Sequence, residues 1–214
     1  MTKARDLASS TLVPSTVSAT ELGYVDGVTS AIQTQVDSKL GTSTAASTYQ
    51  TKAANGLVLL STANFSGVPS VALPANTFSS TYTNYHVKVI VTTTANATVS
   101  ARLRASGSDI STANYDTRGF YVGFSSTLTR VVTTSATGWD LISLNTNKAV
   151  LNFEMSQPNV AAFKINFAKM YSSSSGDMVD YCIPFSTTTV ADSMTVYANT
   201  GNISGSISCY GYNL

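Results

Sequence analysis

Residues 85–91 read YHVKVIV and alternate without a break, with Tyr85, Val87, Val89 and Val91 on one side and His86 and Lys88 on the other. A period of two is the mark of a β-strand with one face in a core, because successive side chains leave the pleat in opposite directions. The same alternation returns in TVSARLR, residues 98–104, where Val99, Ala101 and Leu103 form the inward set. Further strands are expected over 57–61, 120–124, 129–133, 140–144, 149–155, 162–167, 178–183, 193–198 and 203–212. Glycine, proline, asparagine and serine separate nearly all of them, as in SGVPS, QPNV and SSSSGD. Many short strands punctuated in this way predict a mainly β chain with a β-sandwich or jelly roll. Periodicity leaves the strand order open.

Composition points the same way. Of 214 residues, 43% are hydrophobic and only 11% are charged, against roughly 25% charged in an ordinary soluble domain. The polar surface is therefore built from hydroxyls and amides, which suits solvated strands and their turns. A net charge of +1 without any run of lysine or arginine gives counterion release little to act on, so no nucleic-acid partner is expected. No stretch approaches the roughly 20 apolar residues that cross a bilayer, and MTKARDLASS at the N-terminus has charges without an apolar run behind them, so no membrane insertion is expected. Cys182 and Cys209 lie in expected strands without CxxC spacing. They read as small core residues, with a single disulfide as the alternative, in a chain folded in a reducing cytoplasm.

Toward the N-terminus the period changes. Residues 1–17, with Pro14 among hydroxyl side chains, are expected to be extended. SATE at 18–21 matches a capping box and starts a helix. From there Leu22, Val25, Val28, Ile32, Val36 and Leu40 step by 3, 3, 4, 4 and 4, and Gly41 stands where a C′ glycine belongs. Gly23 and Gly27 weaken this helix by up to about 1 kcal/mol each, and its length makes it marginal alone in water. Its narrow stripe needs a cover, either the β-domain of its own chain or copies of itself. The near-heptad subset Val25, Val28 and Ile32 suits a parallel bundle. The expected organisation is an extended segment 1–17, a coiled-coil-like helical stem with its connector 18–55, and a β-sandwich head 56–214.

Catalytic chemistry finds little material. His86 is the only histidine, and it alternates with a valine face, so it points to solvent or an interface. No GxSxG, HExxH, P-loop or EF-hand pattern occurs. The acids Asp109, Asp116, Asp140, Asp177, Asp180 and Asp192 stand mostly in turn contexts that satisfy local N–H groups, and Glu154 in LNFEM faces outward. No enzyme activity, metal or cofactor is expected. Aromatic rings beside acids are the remaining lead, because sugars stack on rings while carboxylates and amides take their hydroxyls. Tyr115, Asp116, Arg118 and Tyr121 in ANYDTRGFYVGF, with Trp139 and Asp140 in ATGWDL, form the candidate glycan-binding set. The competing reading of those rings is core or interface.

Three stretches carry a resemblance. ELGYVDGVTSAIQTQVDSK at 21–39, ASTYQTKA at 46–53, and GLVLLSTANFSGVPSVALPANTFSSTYTNYHVKVIV from Gly56 with RLRASGSDISTANYD after it resemble bacteriophage tail fibres and related virion appendages. The resemblance implies a homotrimer in the virion, docked on other virion proteins through its N-terminus. It further implies a helical stem and a β-rich head that meets a host-surface glycan. A capsid-mounted head fibre, a decoration protein and a structural adaptor are the alternatives within the same resemblance.

Overall fold

In the computed structural model residues 56–123, 127–173 and 176–213 are described, with Ser18, Thr20, Tyr24 and Thr34. The expected attachment segment, and the stem with its stripe of Leu22, Val25, Val28, Ile32, Val36 and Leu40, lie outside the described residues. The β-domain falls in a unit of its own, residues 52–214, and is described by itself.

Thirteen strands are described: β1 (Gly56–Val68), β2 (Ser70–Ala72), β3 (Asn84–Thr93), β4 (Asn96–Ala105), β5 (Ser108–Asp109), β6 (Tyr115–Val122), β7 (Leu128–Ala136), β8 (Trp139–Asn145), β9 (Lys148–Ser156), β10 (Phe167–Ser172), β11 (Met178–Cys182), β12 (Ser193–Ala198) and β13 (Ile203–Asn213). Every pairing among them is antiparallel. Four pairs join the early strands to the late ones: β1 with β13, β2 with β12, β3 with β9, and β4 with β8. The chain is thus one long hairpin. Its first and third pairs share a sheet, in which β13 also pairs with β3. The second and fourth share the other, in which β12 pairs with β4. A long hairpin whose successive pairs alternate between two sheets is an eight-stranded jelly roll. The expectation of a mainly β chain is met, and this is the order that periodicity left open.

Two inserted hairpins widen one side. β10–β11 and β6–β7 continue the first sheet past β9 in the order β9-β10-β11-β6-β7. The small β5 shares an edge of β4 with β8. The large sheet is therefore eight strands wide, and two strands of its four-strand extension, β10 and β6, contact β8 of the second sheet.

The core lies between the sheets. Tyr85, Val87, Val89 and Val91 of β3 are fully buried, as are Val99, Ala101 and Leu103 of β4, so the inward faces read from alternation are the observed ones. They join one cluster with Phe153, Met170, Met194, Val196 and Ile207. β8 carries two consecutive buried residues, Leu141 and Ile142, because its register against β4 slips between Val99 and Ser100. A bulge there re-aims the side chains on either side of it. At β13 the backbone of Gly205 (φ 151°) lies so close to β3 that a Cβ would overlap the Ile90 carbonyl, so only glycine fits the pairing.

One expected strand is displaced. The segment 162–167 was expected as a strand, but β10 begins at Phe167. Alternation there runs against hydrophobicity: Phe163 and Ile165 are exposed, and Lys164 and Asn166 are buried. Lys164 Nζ donates to the carbonyls of Ala162 (2.9 Å) and Thr189 (2.7 Å) and lies 5.7 Å from the Phe185 ring. Its burial lowers its pKa. Asn166 accepts from the Ser156 N–H (3.0 Å) and donates to the Ile183 carbonyl (3.4 Å). Buried polar groups are tolerated when partnered in this way. The two cysteines are free. Cys209 faces the core from β13, while Cys182 shares an outward row with Phe167 and Arg118.

Candidate functional site

Alternation along β6 divides the candidate set. Tyr115, Thr117, Gly119 and Tyr121 face the second sheet, whereas Asp116, Arg118 and Phe120 face outward. Tyr115 and Trp139 are wholly buried, and this corrects their placement as sugar platforms. Their rings meet edge to face (5.0 Å, 86°), and each also packs on Phe185. Trp139 Nε1 donates to the Pro184 carbonyl (3.0 Å). The Tyr115 hydroxyl donates to the Ile110 carbonyl (2.6 Å) and accepts from the Leu103 N–H (3.1 Å). Every polar handle on the two rings is satisfied inside the protein, so they are core.

Asp116 and Arg118 are not part of a site with the rings. Asp116 Oδ1 accepts from the Ser135 N–H (3.0 Å), and its other oxygen lies 3.6 Å from Arg118 Nη2. Other acids are taken up by the chain's own donors, mostly from distant strands and not from the local turns expected for them. Asp192 accepts from the Ser106 N–H (2.8 Å) and the Ser193 hydroxyl (2.7 Å), and Asp109 accepts from the Thr195 hydroxyl (2.6 Å). Asp180 pairs with Lys169 (3.4 Å) on the outer face.

Tyr121 and Asp140 do come together. A cleft of about 430 Å³ opens between the edge strand β8 and the extension of the large sheet. One wall is Thr98 of β4 with Asp140, Leu141, Ile142 and Ser143 of β8. The other is Tyr121 of β6, Val131 and Thr133 of β7, and Asp177, Val179 and Tyr181 around β11. Asp140 Oδ1 accepts from the buried Ser100 hydroxyl (2.8 Å), which fixes the carboxylate at the bulge. Gly119 carries no side chain opposite Tyr181, and a Cβ there would lie 2.8 Å from the ring's Cδ1, so the glycine leaves room for the phenol. Burial pushes the Tyr181 hydroxyl's pKa up, and the neighbouring Tyr121 adds to it. Above them, one point beside Gly123 is 3.0 Å from Asp177 Oδ1 and 3.5 Å from the Tyr121 ring. A carboxylate and a partly exposed ring thus meet at the rim.

Sequence reading missed Asp177 and Tyr181 as site members. The first stands in a turn-like SSGD and the second in an alternating strand, and neither shows that β11 lies beside β6. A second concavity, about 220 Å³, sits on the outer face beside Glu154, Phe167 and Tyr212. Its carboxylate is occupied by the chain's own donors. Glu154 Oε1 is 2.7 Å from His86 Nδ1, and Oε2 accepts from the Tyr212 hydroxyl (2.7 Å). Both His86 and Glu154 face away from the core, as read from alternation.

The arrangement in the cleft suits binding. It offers ring faces, three hydroxyl side chains and two carboxylates, the mixture that holds a polyhydroxylated ligand. Among the described residues, no group of three or more His, Cys, Asp or Glu side chains is placed to hold a metal ion. Comparison of the chain with protein-family models, curated proteins and solved structures finds no match.

Proposed function

We propose that this chain is a non-enzymatic bacteriophage virion protein, a short homotrimeric tail fibre whose jelly roll adheres to a host cell-surface glycan. Residues 1–17 dock on other virion proteins, residues 18–55 hold three copies together, and assembly takes place in the host cytoplasm. The resemblance of 21–39, 46–53 and the text after Gly56 to fibre proteins supports the virion setting. The observation that carries adhesion is the cleft, where Tyr121 and Asp140, named from sequence for sugar binding, line one cavity. Three weak sites on one stem act at high effective concentration and raise avidity by about 10² to 10⁴.

A second reading has its own observation. The outer face of the widened sheet exposes Phe120, Leu128, Val132, Tyr171 and Met178, and apolar surface of this kind marks contact with protein. It favours a capsid-mounted fibre, decoration or adaptor whose β-domain packs on a neighbour and binds no receptor. Solution mass and cell binding separate these readings. The full chain is expected as a trimer, and Val28→Asp or Ile32→Asp as a monomer with the β-domain intact. Labelled protein is expected to coat host cells and block phage adsorption. Protein that is trimeric yet neither labels cells nor blocks adsorption supports the structural reading, and a monomeric wild type with an intact helix removes the fibre.

A further inference from the structure

Resting on the homotrimer reading above, we propose that the β-domains of neighbouring copies touch through two apolar patches on the outer face of the large sheet. Leu57 and Leu59 of one copy meet Phe163, Ile165 and Phe167 of the next. The run from Phe163 into β10 carries this inference. There the chain buries Lys164 and Asn166 and leaves Phe163, Ile165 and Phe167 about half exposed. Burying an amine and an amide requires partners for both. The carbonyls of Ala162, Thr189 and Ile183, with the Ser156 N–H, supply them. A domain that stood alone would gain by the opposite alternation, so the three apolar side chains are held outward for contact with protein.

The second patch lies on the same face. Leu59 shares one outward row with Tyr210, His86, Glu154 and Phe167, with β13, β3 and β9 between β1 and β10. Leu57 precedes it by two residues on that face, and both are about half exposed. Four antiparallel pairings lead from β1 to β10, so the two strands run in the same direction. Each stripe is apolar at its start and then turns polar, at Thr62 and Asn64 in β1 and at Lys169 in β10. A copy turned about an axis along the strands therefore presents Leu57 and Leu59 to the Phe163 stripe at matching height. Two different patches make a heterologous contact, which closes into a ring when the rotation is a third of a turn. β1 carries no charged residue, so no charge opposes the match. Residues 1–55 join the domain at Gly56, beside Leu57, so a stem that holds copies together at 18–55 brings these ends toward one another. A foreign protein seated on the stripe alone would leave Leu57 and Leu59 uncovered.

The experiment uses the full chain with Cys182→Ser, which removes the thiol beside Phe167, while Cys209 is buried. Leu59→Cys with Phe167→Cys, treated with a short bismaleimide, is expected to give covalent dimers and trimers on a denaturing gel, and either cysteine alone to give neither. Within one copy the two positions lie four strand spacings apart, about 19 Å, beyond the reach of that reagent. Phe163→Ser with Ile165→Ser is expected to lower the melting temperature of the trimeric chain by about 5 °C or more. The same pair is expected to leave it unmoved in the Val28→Asp background, where the copies are apart. A chain that is trimeric by mass, yet gives no covalent product and melts unchanged, overturns the contact, leaves the homotrimer standing and assigns the stripe to another virion protein. Equal loss in both backgrounds also overturns the contact, because the side chains then serve their own domain. A monomeric wild type with a folded β-domain overturns both the contact and the homotrimer.

Discussion

The jelly roll and its four-strand extension share one sheet, and a single row followed across it shows how differently they use its outer face. In the roll the row runs Asn64, Ser206, Ile90, Val150, half of it polar; in the extension it continues as Tyr171, Met178, Val122, Leu128. The neighbouring row passes from Thr62, Ser208, Lys88 and Asn152 to Lys169, Asp180, Phe120 and Arg130. The roll follows the rule of one buried face and one solvated face. The extension departs from it: its outer face sets exposed Phe120, Leu128, Tyr171 and Met178 among Lys169, Asp180 and Arg130, and its inner face is part core and part cleft, with β8 as the cleft's other wall. A structure that needs only to fold has no reason to keep that arrangement, so the extension is where binding is sought.

The comparison breaks first at two glycines. Gly205→Ala would drive a Cβ into the Ile90 carbonyl between β13 and β3, at the centre of the roll, and Gly119→Ala would drive one into the Asp180 carbonyl between β6 and β11. The first is expected to cost more than about 4 kcal/mol and to abolish cooperative unfolding. The second is expected to cost about 2–4 kcal/mol, retaining a transition while displacing Tyr181 and the cleft. Urea unfolding of both variants measures this, and equal loss would mean that roll and extension fold as one indivisible unit. Comparable in size is the effect expected at Trp139, fully buried in the core. Trp139→Ala is expected to cost about 3–5 kcal/mol, whereas Tyr121→Ala at the cleft rim should leave the unfolding midpoint almost unmoved and change only binding.

Alkaline pH provides a smaller, graded test. Burial raises the pKa of Tyr85, Tyr115, Tyr181, Tyr197, Cys182 and Cys209, the last to about 12. Tyr212, partly desolvated and bonded to Glu154, is also pushed up to about 12. For each of these the unfolded state loses its proton first, so the stabilisation is complete below about pH 8.5 for cysteine and 10 for tyrosine and is lost as pH rises toward the folded values. Lys164 has the opposite sign. Its lowered pKa makes the cost of burying its charge disappear as pH rises toward about 10.4, the unfolded value. Seven groups oppose one, so the urea midpoint should fall between about pH 9 and 12. A midpoint that holds or rises would show that these hydroxyls and thiols are not buried.

How much of this was legible beforehand follows the same division. β3 and β4 could be read residue by residue, because alternation reports which face is buried. At 162–167 the apolar residues Phe163 and Ile165 are the exposed ones and Lys164 and Asn166 are buried, and a sequence does not show the backbone groups that satisfy them. The jelly-roll order rests on pairings between distant strands, about which local pattern is silent. For the site, the residue types were legible and their directions were not: β6 sends Tyr115 into the core, Arg118 outward and Tyr121 into the cleft within seven residues. The apolar stripe on which the stem reading rests falls outside the described residues.

Hydrogen exchange on the full chain, with and without host-surface polysaccharide, tests the central claim most directly. If the cleft between roll and extension is the adhesive site, protection should appear in β8 and at the Tyr121 end of β6, with the region around Glu154 and Tyr212 unchanged. Protection confined to the outward strand faces at Phe120, Tyr171 and Met178, or none at all, would contradict it.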